Sequence, residues 1–344
     1  MSELQIGLAL LGGLVLAGLV GHGVWQARRG AVREASAGVA ETPTPREPMF
    51  GADASPDTVP AARLEPMLVR RGPRLDALID AIATLRLDAP VAGETAIQHL
   101  PPARRAGSKP LLIEGLDGET GEWDAPQPGR RYGEFQAGVQ LANRGGALNE
   151  IEYSEFVQKA QLFADSLGAL ADFPDMLDVV ARARELDAFA AQHDAQLTLK
   201  LVSRGASWTP AYVQQHAAAQ GFVPGALPGR LVRPAAEEGA PAPLTLQFDA
   251  QAALADEPAQ ALLRELQLVF DVPQTAVGEG AFVAWCRAGE GLAGALDAAM
   301  FDNDGHPLPP GAFAVIGQEL DRLYGALAER DLAAGSPAAR RLFS

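Results

Sequence analysis

Three segments near the C-terminus alternate apolar and polar residues with a period of two. In 197–203, Leu197, Leu199 and Leu201 alternate with Thr198, Lys200 and Val202. In 244–248, Leu244, Leu246 and Phe248 alternate with Thr245 and Gln247. In 266–272, Leu266, Leu268, Phe270 and Val272 alternate with Gln267, Val269 and Asp271. Successive side chains of a strand point to opposite faces, so such segments settle in a sheet buried on one side only. A slip of one residue would put every leucine into water, which ties down the register.

The order of elements around these strands occurs twice. In the later set, strand 266–272 precedes a helix at 280–296, the turn Asp302-Asn303-Asp304-Gly305, and a helix at 313–330 containing Glu319-Leu320-Asp321. In the earlier set, strand 134–141 precedes a helix at 153–167, the turn Asp172-Phe173-Pro174-Asp175, and a helix at 176–192 containing Glu185-Leu186-Asp187. The tripeptides Gly168-Ala169-Leu170 and Gly294-Ala295-Leu296 close the first helix of each set. Upstream, strand 79–87 and helix 94–100 match strand 197–203 and helix 211–220. Recurrence of this kind reads as a duplicated unit. Copies are predicted at 74–193 and 194–335, with a C-terminal tail at 336–344 that holds Arg340, Arg341 and Phe343 and is expected to fray. Each copy reads strand–helix–strand–strand–helix–helix. The expected class is α+β: tandem split βαβ (ferredoxin-like) antiparallel sheets with helices on one face.

An apolar run begins at Leu4 and ends at Trp25 without a charged residue, and Arg28, Arg29 and Arg33 follow it. About 20 apolar residues in a helix cross a bilayer core of roughly 30 Å. Basic flanks stay in the cytoplasm, so residues 1–27 are predicted to form one transmembrane anchor with the N-terminus outside and the body inside. A cleaved signal peptide would carry basic residues before the run, and none precedes Leu4. Ala9, Gly13, Ala17 and Gly21 fall every four residues, a small-residue face suited to self-association of anchors. Residues 28–73 are rich in proline and predicted to be a flexible linker.

The net charge of −15 is carried by the body: residues 111–344 hold 16 Lys and Arg against 32 Asp and Glu. Nucleic-acid binding through phosphate contacts needs clustered basic residues, so nucleic acid is not an expected partner. The single cysteine, Cys286, permits no intramolecular disulfide and sits beside Trp285 as an inert, buried thiol. The histidines His22, His99, His193, His216 and His306 are scattered, without the spacing of a zinc site. Asp302-Asn303-Asp304-Gly305 lacks the later ligands and closing Glu of a calcium loop and reads as a tight turn. Neither a phosphate loop nor a nucleophile elbow is present. No enzymatic activity, cofactor or metal is expected.

The anchor, the Pro-rich linker and the C-terminal elements together resemble the bacterial cell-division family ZipA. The residues that carry the resemblance are strand 197–203 with the helix to Gly221-Phe222, strand 244–249, strand 268–273, the helix ending Gly294-Ala295-Leu296, and the final helix through Glu319 and Tyr324. The resemblance implies an inner-membrane protein with a periplasmic N-terminus and cytoplasmic domains. It further implies an open sheet face that binds the C-terminal tail of the tubulin-like division protein FtsZ. On this chain that face would comprise Thr198, Lys200, Val202, Thr245, Gln247, Gln267 and Val269, with Leu227 at its border. The copy at 74–193 is additional to the simplest members, leaving either copy, both, or their seam as the binding place. A membrane-anchored small-ligand sensor and a structural scaffold are the alternative readings.

Overall fold

The computed structural model describes residues 74–254 and 262–344. The predicted anchor at 1–27, its Ala9–Gly13–Ala17–Gly21 face and the linker at 28–73 lie outside the described residues. Among the described residues no helix is long and apolar enough to cross a membrane.

The fold is α+β with antiparallel sheets. The first half contains β1 (Asp80–Ala92), α1 (Gly93–His99), β2 (Arg105–Ala106), β3 (Lys109–Asp117), β4 (Trp123–Asp124) and β5 (Arg131–Gln140). A small hairpin, β6 (Ala142–Asn143) and β7 (Gly146–Ala147), leads to α2 (Glu150–Leu167), β8 (Leu170–Asp172) and α3 (Met176–His193). The second half contains β9 (Gln196–Ser203), α4 (Pro210–Ala219), β10 (Val223–Pro224), β11 (Arg230–Arg233), β12 (Leu244–Gln247) and α5 (Ala250–Ala253). It continues with β13 (Glu265–Asp271), α6 (Ala281–Ala295), β14 (Ala298–Phe301), α7 (Ala312–Ala328) and α8 (Pro337–Leu342).

The two sheets run β2-β3-β5-β1-β8 and β10-β11-β12-β13-β9-β14, so β3-β5-β1-β8 and β12-β13-β9-β14 share one order. In each half the first strand lies antiparallel between the strand before the long helix and the strand after it. Backbone hydrogen bonds at matching places set the equivalence. Leu141 N–H donates to Ile79 O at 2.8 Å, and Val272 N–H donates to Ala195 O at 3.1 Å. On that alignment Ile82 matches Thr198, Thr84 matches Lys200, Leu112 matches Thr245, Glu114 matches Gln247 and Gly138 matches Val269. The short strands β8 and β14 were not expected, because three or four residues at a sheet edge leave no alternation to read. They also displace the Gly-Ala-Leu match: Leu170 pairs with Arg86, whereas Ala299, not Leu296, pairs with Val202. That recurrence is coincidental.

One face of each sheet is closed by helices. On the first, Ala83, Leu85, Phe135 and Val139 are fully buried with Phe156 and Phe163 of α2. On the second, Leu199, Leu201, Leu246, Leu268 and Phe270 are fully buried with Val213 of α4 and Trp285 and Leu292 of α6. A side chain on Gly289 would collide with Leu199, so α6 lies directly on the sheet. The helix ends follow local chemistry. Asn149 and Glu152 form a capping box on α2, and Gly168 takes the left-handed conformation that ends it.

The C-terminal tail corrects an expectation. Residues 336–344 do not fray. Ser336 caps α8, Pro337 occupies its first turn, and Leu342 and Phe343 are buried in the core of the first half. The second half thereby crosses back to complete the first. Two arginines make the exchange reciprocal. Arg341 bonds the buried Asp80 of the first sheet through both terminal nitrogens, at 2.8 and 2.5 Å. Arg144 of the first half bonds Asp194 at 2.6 Å and Asp271 of the second sheet at 2.7 Å.

Glu152 carries a further expectation. Burial raises its carboxyl, but Ser108 N–H and Oγ at 2.8 and 2.7 Å, with Asn149 N–H at 3.2 Å, outweigh burial and hold it below the ordinary carboxylate value. A depressed folded pKa stabilises above the unfolded value and is lost as pH falls through the folded one. Glu152→Gln should therefore cost about 1.5–3 kcal/mol at neutral pH. Urea titrations should show the deficit shrinking as the solution is acidified below about pH 4.

Candidate docking face on the second sheet

The helix-free side of the second sheet is organised in cross-strand rows. One row runs Val223, Val232, Thr245, Val269, Thr198. The next runs Arg230, Gln247, Gln267, Lys200, Phe301. A third runs Glu265, Val202, Ala299. Rows on one face are about 7 Å apart along a strand. Thr198, Lys200, Val202, Thr245, Gln247, Gln267 and Val269 are all half-buried, while their inward neighbours in the same strands are almost all fully buried. Seven of the eight residues singled out from the sequence thus share one surface.

Leu227 does not belong to it. It lies 56% exposed in the turn between β10 and β11, where its carbonyl accepts the Arg230 N–H at 3.2 Å. Lys200 is also not a free cation, since Nζ donates to Asn303 O at 2.7 Å and so ties the face to the turn after β14.

A groove of about 300 Å³ lies over part of this face. Thr245, Gln247 and Val269 lie beneath it, with Arg144, Arg230 and Asp271 among its borders. Arg144 reaches the groove from the first half. Burial disfavours its charge, but the hydrogen bonds it donates to Asp194 and Asp271 more than compensate and keep it firmly protonated. The Arg230 guanidinium makes no hydrogen bond or ion pair among the described residues. Arg230 and Val232 sit on a four-residue strand too short to show its alternation, and Arg144 arrives from 127 residues away, so the sequence alone marks none of the three as part of this face.

The remaining chemical candidates are placed elsewhere. Asp302, Asp304 and His306 approach one another in an exposed turn closed by His306 N–H on the Asp302 carboxylate at 2.8 Å. Cys286 is half-buried rather than buried, and burial, with a smaller contribution from Glu290, pushes its thiol up to about 11, away from nucleophilic use.

Known families offer no guide: no protein-family model matches the chain, and no curated protein matches it.

Proposed function

We propose that this chain is a membrane-anchored, non-enzymatic adaptor of bacterial cell division, of the ZipA kind, that holds a cytoskeletal polymer at the inner membrane. Each half is read as a split βαβ unit. The open face of the second presents Thr198, Lys200, Val202, Thr245, Gln247, Gln267 and Val269 to the C-terminal tail of FtsZ. The observation that carries this reading is the surface of a six-stranded sheet left half-exposed on a body whose opposite face is closed by α4 and α6. The apolar run from Leu4 to Trp25 supplies the anchor. Weak contacts suffice in this arrangement, because many anchored copies along one filament act at high effective concentration.

The test is co-flotation of FtsZ polymers with liposomes carrying the full chain. The polymer should rise with the liposomes. Deleting the polymer's C-terminal tail should abolish recovery, and Gln267→Arg on this chain should reduce it about tenfold. Recovery that ignores the tail, or no recovery at all, would sink the adaptor reading.

A further inference from the structure

The two sheets differ in what lies on their open faces. On the first, the chain's own residues 74–75 fold back across the strands. Leu75 rests on Gly138, where any added side chain would collide with it. Its N–H donates to Glu114 Oε1 at 3.0 Å. The preceding carbonyl, Arg74 O, accepts from Arg341 Nη1 at 2.8 Å. One residue is thus held by a floor, a carboxylate acceptor and an arginine borrowed from the other half.

The second sheet repeats this arrangement without an intramolecular occupant among the described residues. Val269 stands where Gly138 stands, and Thr245 and Thr198 replace Leu112 and Ile82. Gln247 replaces Glu114, offering an amide oxygen in place of a carboxylate. Arg144, again from the other half, occupies the same end of the sheet as Arg341 does on the first. Gln247, Val269 and Arg144 all border the groove described above.

We infer that this groove receives one branched apolar side chain of an extended acidic peptide, held as Leu75 is held on the first sheet. The peptide residue's N–H is accepted by Gln247, and the carbonyl before it takes a hydrogen bond from Arg144. Charge complementarity sets the sign of the flanking residues. Arg144 is already paired with Asp194 and Asp271, whereas the Arg230 guanidinium beside the groove has no partner among the described residues, on a chain of net charge −15. Acidic peptide residues beside the apolar one meet Arg230. Because Leu75 already fills the first sheet, each chain carries one such site. Val269 in place of glycine makes the groove shallower than the Leu75 seat. The inference rests on the adaptor reading for the partner's identity but not for the chemistry of the groove.

Methyl-labelled full chain in nanodiscs, titrated with N-acetyl-leucinamide, tests the groove alone. The methyls of Val269 and Thr245 should shift with roughly millimolar affinity, while that of Ile82 stays still. Thr245→Arg should weaken binding about tenfold, and Val269→Gly, which recreates the Gly138 seat, should tighten it by about threefold. A gain of affinity cannot come from misfolding. Absent shifts, shifts confined to Ile82, or a folded Val269→Gly variant that binds no better would overturn the inference. If the probe behaves as expected but a fluorescent FtsZ tail peptide does not compete with it, the groove stands and the adaptor reading alone fails.

Discussion

Removal of residues 336–344 should unfold the first half of the body. Leu342 is fully buried and Phe343 is 1% exposed, in one cluster with Leu327, Ala339, Leu141 and Phe156. Truncating a buried Phe to Ala costs about 3–5 kcal/mol, against a total stability of about 5–15 kcal/mol for an ordinary domain. Losing Phe343 and Leu342 together removes most of that margin. The backbone around them is also committed: Gln274 Nε2 donates to Phe343 O at 2.5 Å, and Gln140 Nε2 donates to Arg341 O at 2.8 Å. Phe343→Ala should lower the urea midpoint sharply, and the truncated chain should lose protection of amide hydrogens in β1 and β5 first. Unchanged stability of the truncated chain would mean that the tail does not complete this core.

The second large effect is expected at Arg341. Its guanidinium neutralises Asp80, a carboxylate with 1% exposure, and also fastens Arg74 O. Removing one partner of a buried pair leaves the other charge uncompensated and costs about 3–5 kcal/mol. Burial already raises the Asp80 carboxyl above its ordinary value, despite the Arg341 hydrogen bond and charge and the hydrogen bond donated by Asp76 N–H at 2.8 Å, all of which lower it; the Asp76 charge adds only a small upward push. Arg341→Ala removes the opposing cation and raises it further. A raised carboxylate pKa means that the folded state takes up a proton before the unfolded chain does, so stability rises as the pH falls through that value. Arg341→Ala should accordingly show its full deficit at neutral pH and regain part of it on acidification toward the carboxylate range. Denaturation curves at several pH values would check this, and a deficit independent of pH would contradict it. The same substitution should loosen Leu75 on the first sheet.

Much of the second sheet could be read from residues alone. Leu199, Leu201, Leu268 and Phe270 alternate with Lys200, Gln267 and Val269, and period two leaves no other face for the leucines. What could not be read had physical reasons. Strands β8 and β14 borrow their pairing from β1 and β9 and need no apolar pattern of their own. The buried helix α8 starts from the cap Ser336 and the first-turn Pro337, but its few apolar residues are too short a run to show a period. The groove depends on Arg144, and its counterpart on the first sheet depends on Leu75 and Arg341, which meet from opposite ends of the body. Local sequence carries no record of such encounters.

A single labelling experiment addresses the uncovered β-surface most directly. In a Cys286→Ala background, Gln267→Cys places a thiol on the half-exposed face of the second sheet, and Thr84→Cys places one at a half-exposed position of the first. Both thiols should react with a maleimide on the free chain. Saturating FtsZ polymer should slow labelling at position 267 severalfold and leave position 84 unchanged. Equal rates at 267 with and without polymer, or protection at 84 instead, would contradict docking on the second sheet.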